Sequence, residues 1–202
     1  MKLYNDRFAP NPRRVRMFAA EKGIALDLVD VSIASREHET EAFGAINPRL
    51  EVPVLELDDG RRLVESLAIC RYLEALNPHP NLWGSEPLER HAVDAMVDAL
   101  QANLYVATAH SFRHGHPFWA GRIEQCADYA PLARRKVEDE YVRLDGRLNG
   151  RDFLCLDRLT MADIVAYTSV EFGKAAGLRP DAGLTQLHRW RTAMAARPSA
   201  KA

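Results

Sequence analysis

The stretch NPHPNLWGSEP, residues 77–87, constrains the fold of this chain more than any other. Its three prolines fix backbone angles and remove amide donors, so neither a helix nor a central strand can run through it. The hydrophobic pattern differs on its two sides. Before it, short strand-like runs alternate with helical stretches. After it, apolar residues recur at helical spacing almost throughout. The expected organisation is an α/β domain at 1–78, a linker at 79–87 and an all-α helical bundle at 88–202.

Within the first part, KLYN reads as a strand and NPRRVRMFAAEKG as a helix. Asn11 can cap that helix, Pro12 suits its first turn and Gly23 suits the left-handed position after its end. ALDLVDVSI reads as a second strand through Val29, Val31 and Ile33, parallel to the first across a right-handed crossover. EHETEAFGAINP is a weak helix that stops at Asn47-Pro48. VPVLELDDGRRLVE reads as a hairpin turning at Asp59-Gly60. In SLAICRYLEALNP, Ile69, Tyr72, Leu73 and Leu76 share one helical face, with Ser66 near the helix start.

Beyond the linker, four apolar stripes predict the bundle. They are Val93/Met96/Val97/Leu100/Leu104, Val137/Tyr141/Leu144/Leu148, Met161/Ile164/Val165/Thr168/Phe172 and Leu187/Trp190/Met194. Thr160 and Asp163 form a capping-box pattern at the start of the third. The net charge of −1 gives no reason to expect nucleic-acid or membrane binding. No apolar run reaches the length of a membrane span, and the N-terminus reads as a strand and not a leader. Cys70, Cys126 and Cys155 are scattered without a C-x-x-C, which fits a reducing, cytoplasmic location and excludes a zinc framework.

Four motifs in order, APNPRRVRMFAAEKGI, NPRLEVPVLELDDG, LVESLAICRYLEAL and LTMADIVAY, resemble the cytosolic glutathione transferase family across nearly the whole chain. The resemblance implies a thioredoxin-like N-terminal domain that binds glutathione. It also implies an all-α C-terminal domain that holds a small hydrophobic electrophile, and a homodimer. Glutathione is then a co-substrate and no separate cofactor is needed.

The candidate binding residues can be read on their own chemistry. Glu65 and Ser66 open a helix, where a carboxylate can pair with an ammonium while a hydroxyl and the helix N-terminus suit a carboxylate. A γ-glutamyl group carries both charges. The alternative is that Ser66 only caps the helix and Glu65 is solvated. The resemblance makes Val52-Pro53 a cis pair whose Val52 backbone meets the cysteinyl part of glutathione. It also places His38 at the glycyl end, against the alternative of an exposed loop histidine. Glu51 departs from the Lys, Gln or Thr that many relatives carry there. Arg13, Arg14 and Arg16 oppose the helix dipole, so an anion or acidic partners are expected near them, with at least one of the three solvated.

The reaction needs a thiolate, and a free cysteine thiol has a pKa of about 8.5. Relatives lower it with a Tyr or Ser hydrogen bond or use a reactive Cys. Here Ala9 stands in the Ser position, and Tyr4 lies inside a strand. Asn11 remains as an amide donor, similar to the Asn of nu-class members. In the helical domain, His110, His114 and His116 fall in a Phe-Arg-His-x-His-Pro pattern that resembles an atypical branch, in which helical-domain side chains hold a water on the thiolate. His114 is the first choice and His116 the second. The competing reading is that these histidines line a second-substrate cleft without a catalytic role; metal binding at the His-x-x-x-His spacing is a further alternative that lacks a third acidic or cysteine ligand in the sequence. The expected function is glutathione transfer to small electrophiles in detoxification. The alternatives are glutathione-dependent disulfide or peroxide reduction, and a non-enzymatic glutathione or ligand binder.

Overall fold

In the computed structural model, which describes residues 1–202, KLYN forms strand β1 (Lys2–Asn5), flanked on both sides in a four-stranded sheet of order β2-β1-β3-β4. Strand β2 (Asp27–Asp30) pairs parallel with β1, while β3 (Val54–Glu56) and β4 (Arg62–Val64) pair antiparallel. Gly60, at φ +85°, makes the expected turn between β3 and β4.

Helix α1 (Pro10–Glu21) connects β1 to β2. It starts earlier than expected. Ala9 is its N-cap and Pro10 its first residue, so Asn11 stands second and does not cap. The turn is closed from upstream instead, because the Asp6 carboxylate accepts the Phe8 and Ala9 N–H groups at 2.8 and 3.1 Å. The helix ends as expected. Gly23 has φ +66°, and the Gly23 and Ile24 amides return to Ala20 and Ala19 carbonyls at 3.1 and 2.9 Å.

Strand β2 is shorter than its apolar alternation predicts. After Val31, the ladder donors go to carboxylates: the Ser32 N–H to Glu37 and the Ile33 N–H to Asp6, both at 2.8 Å. The weak helix that follows is broken into a 3₁₀ turn (Glu37–Glu39) and a short α2 (Glu41–Gly44) capped by Thr40. Helix α3 (Ser66–Leu76) buries Ile69, Cys70 and Leu73, but Leu76, in its last position, is 53% exposed. The buried Lys22 ammonium donates to the Asn77 and Pro80 carbonyls at 2.7 and 2.6 Å and pairs with Glu74 at 2.5 Å, which ties the start of the linker to α1.

The three arginines differ from expectation. None is a solvated charge: Arg14 is 0% and Arg16 7% exposed, and Arg13 is half-buried. Arg13 and Arg16 hold backbone carbonyls of Ala200 and Ala202, each at 3.1 Å. The terminal segment Pro198–Ala202 therefore groups with Met1–Leu82, and the helical unit is Trp83–Arg197 and not 88–202.

In that unit α4 (Pro87–Leu100), a π-helical turn (Gln101–Tyr105) and α5 (Val106–Gly115) form one continuous rod. Helices α6 (Tyr129–Arg147), α7 (Met161–Gly173) and α8 (Thr185–Ala196) complete the bundle, and the four predicted stripes supply its buried core, with Met96 and Phe172 only half-buried. Helix α7 is buried on all sides from Met161 to Val170. Asp163 closes the capping box with Thr160 and also accepts the Leu154 N–H and the Trp190 indole N–H, at 3.0 and 3.1 Å.

Candidate functional site

The sheet register gathers most of the predicted site at one end. Asn5 at the end of β1 pairs with Asp30 at the end of β2, Tyr4 with Val54 at the start of β3, and Val54 with Val64 at the end of β4. The segments running off that end carry Asn11 after β1, His38 after β2, Val52 and Pro53 before β3, and Glu65 and Ser66 after β4. Ligands of α/β sheets collect where parallel strands end and helices begin. His114 and His116 belong to the helical unit.

Backbone strain marks the same segments. Three non-glycine residues have positive φ: Arg36 at 61°, Leu50 at 58° and Glu65 at 67°. Each is either a candidate site residue or two positions before one. Such conformations cost about 1–3 kcal/mol and persist where surrounding structure enforces them. Around Leu50 the enforcement comes from Asn47, which the sequence reading missed. Its buried amide donates to Glu51 O at 2.7 Å, and its side-chain oxygen accepts the Arg49 N–H at 3.1 Å. The only sequence signal was Asn47-Pro48, read as a stop. The Val52-Pro53 bond is cis.

Ser66 is not a cap. It is the first residue of α3, after Glu65, and neither side chain caps the helix. Instead Ser66 Oγ accepts a hydrogen bond from the fully buried Arg14 Nη1 at 2.9 Å. A hydroxyl that accepts from a cation keeps its own hydrogen to donate. Ser66, 6% exposed, is therefore a polarised donor at an uncapped helix N-terminus, with the Glu65 carboxylate beside it. That combination suits a group bearing both carboxylate and ammonium.

His38 is not an exposed loop residue either. Its side chain is 15% exposed, its Nε2 lies 3.6 Å from Glu39, and its Nδ1 is buried without a hydrogen-bond partner. Glu51 is exposed and pairs with Arg49 at 3.4 Å.

At the start of α1, Pro10 and Pro12 have no N–H, so Asn11 alone among the first three helical residues carries an amide hydrogen. Its side-chain amide adds further donors, and the residue is half-buried. Tyr4 is excluded as an activator, because its hydroxyl donates to Glu56 at 3.2 Å and its ring packs on Phe43. Burial pushes the Cys70 thiol up to about 12, against the opposing pull of Arg14, so Cys70 stays protonated. Cys155 is also raised, chiefly by burial. Neither offers a protein thiolate.

In the helical unit, His114 Nδ1 accepts the Cys126 N–H at 3.1 Å. That bond assigns the proton of the neutral ring to Nε2, leaving one outward donor. His116 Nδ1 likewise accepts the Phe118 N–H at 3.1 Å and caps the turn Pro117–Trp119, with its side chain exposed. The His110 and His114 ring centres are 5.9 Å apart, and Tyr129, missed from sequence, lies 5.5 and 5.4 Å from them. Tyr129 OH lies 3.1 Å from His110 Nδ1, and burial followed by the nearby His114 lowers the His110 pKa. No group of three or more His, Cys, Asp or Glu side chains is arranged to hold a metal ion. Beside the histidines, Phe112 packs on Phe118, Trp119 and Phe172 at 6.0, 6.0 and 5.6 Å, an aromatic wall whose Trp119 indole N–H is buried without a partner.

Residues 8–76 match the model of the glutathione S-transferase N-terminal domain, and residues 101–198 that of the glutathione S-transferase C-terminal domain. Glutathione S-transferase 2 of Saccharomyces cerevisiae is 31% identical over all of this chain and 88% of its own length. The crystal structure of Gtt2 from the same yeast superposes with a TM-score of 0.93 at 30% identity, covering 100% of this chain and 99% of that one. A glutathione S-transferase domain-containing protein of Marinobacter aquaeolei VT8 superposes with a TM-score of 0.91 at 36% identity, covering 98% of this chain and 99% of that one. This chain belongs to the glutathione S-transferase family.

Proposed function

We propose that this chain is a glutathione transferase that joins the glutathione sulfur to small hydrophobic electrophiles. The Arg14–Ser66 hydrogen bond carries the reading. It turns a serine at an uncapped helix start into a donor for the γ-glutamyl carboxylate, and Glu65 stands beside it for the ammonium. The Val52 backbone, next to the cis Pro53, takes the cysteinyl portion, and His38 takes the glycyl carboxylate through its orphaned ring nitrogen.

In the reaction the thiol loses its proton to water. The thiolate then forms a carbon–sulfur bond, and the leaving group departs with its electron pair. Asn11 donates to the developing thiolate at the start of α1. His114, a donor through Nε2, holds the water that stabilises the charge, and His116 shapes the loop beside it. The aromatic wall around Phe112 and Trp119 receives the electrophile. The chain works as a cytoplasmic homodimer, in which exposed Val64 and Leu76 of the N-terminal unit are covered by the second copy. Glutathione is the co-substrate and no other cofactor takes part.

Conjugation of a generic aryl halide tests the reading. His114→Ala is expected to lower kcat by about tenfold to a hundredfold while keeping glutathione affinity. Glutathione binding without turnover of several electrophiles overturns the enzyme assignment. The resemblance of Asn11 to the Asn of nu-class members supports a second reading, glutathione-dependent disulfide reduction. Faster turnover of a model disulfide than of the aryl halide selects it.

A further inference from the structure

The last residues of the chain fold back onto the residue that also holds the β1–α1 turn. Arg16 Nε donates to Ala202 O and Nη2 to Arg7 O, both at 3.1 Å. Its Nη1 donates to the Asn5 side-chain oxygen and to Asp6 O, the latter at 3.4 Å. Alongside, Arg13 donates to Ala200 O at 3.1 Å and the Ser199 hydroxyl to the Glu21 carboxylate. Ser199 and Ala200 are buried by this docking. The same turn is held from its other side by Asp6, whose carboxylate accepts the Phe8, Ala9 and Ile33 amides.

Burial and the charge of neighbouring Arg13 press on the Arg16 cation, so it depends on these oxygen acceptors. A guanidinium is one rigid plane. Losing the acceptor at Nε changes the angle that Nη1 and Nη2 offer to Asn5, Asp6 and Arg7. That turn leads through Ala9 into Asn11. Displacing a reacting group by about 1 Å can cost about a hundredfold in rate.

We propose that residues 198–202 are a strap whose docking on Arg16 sets the turn at the glutathione sulfur, which makes Arg16 a positioning residue. The inference rests on the glutathione reading of the site.

The test compares wild type, a chain ending at Arg197, Arg16→Lys, and the two changes combined. Truncation is expected to speed amide exchange at Phe8 and Ala9 about tenfold, with β3 and β4 amides unchanged. The kcat for conjugation falls about tenfold while KM for glutathione moves less than about threefold. Arg16→Lys gives the same pattern, and truncating it further changes neither quantity. Arg13→Ala, which removes the donor to Ala200 and leaves Arg16 in place, shows the same directions at smaller size and serves if the truncated chain does not fold. Additive effects, or wild-type exchange and kcat after truncation, overturn the strap. Wild-type protein that binds no glutathione in calorimetry overturns the underlying reading instead.

Discussion

At Asp163 one carboxylate accepts from Leu154, Thr160 and Trp190, so a single residue fixes the α7 start, the preceding loop and α8. Burial pushes its carboxyl above the usual range, and the donors pull it back. Asp163→Ala removes a cap and leaves buried N–H groups unpaired. We expect a loss of about 2–4 kcal/mol in a urea melt, more than the roughly 0.5–2 kcal/mol of a cap alone. Glu89 illustrates the opposite sign. The Arg158 guanidinium, followed by the Ser85 N–H and hydroxyl, lowers its carboxyl from 4.5 to about 2. The folded state therefore holds the charged form more firmly than the unfolded chain does. Its contribution is present above pH 4.5 and fades as pH falls towards 2. A Glu89→Gln variant should melt below wild type at neutral pH, with the gap closing across that window. A constant gap would contradict the linkage.

Among the elements, those whose signal is local were legible in the sequence. The helical stripes and the Asp59-Gly60 and Gly23 turns formed where period and turn chemistry placed them. What was hidden depends on side-chain and backbone partners outside the element itself, some of them far along the chain. β2 stops early because Asp6 and Glu37 take its next donors. Asn11 is not a cap because Asp6 closes the turn first. The alternative of Ser66 as a helix cap stayed open in the sequence, because the Arg14 that donates to its hydroxyl lies far upstream. The arginines pointed to an anion or acidic partners, with at least one solvated, because backbone carbonyls leave no mark in a sequence. Gly84 is a local case with a long reach. It has φ +102°, and a Cβ there would lie 2.6 Å from the Arg90 backbone nitrogen. Gly84→Ala should lower stability by about 1–3 kcal/mol or more, because backbone and not a flexible side chain blocks it. An unchanged thermal midpoint would contradict this.

For the whole molecule, the break at the proline-rich stretch was legible, but the return of Pro198–Ala202 to the N-terminal unit was not. The family resemblance was carried by four motifs, and the sheet register brings together the three that lie in the N-terminal unit. Three turns and a helix start meet at one end of a four-stranded sheet. The group that activates the thiol was the least legible part, since no hydroxyl or thiol stands at Ala9 and the candidate donors lie in both units. The central claim is that this sheet end binds glutathione through the Ser66 donor. Calorimetric titration of glutathione into wild type and Ser66→Ala tests it most directly. The account predicts saturable binding to wild type and a loss of about 1–3 kcal/mol, roughly fivefold to 150-fold in Kd, in the variant. Equal affinity in the two proteins would contradict it.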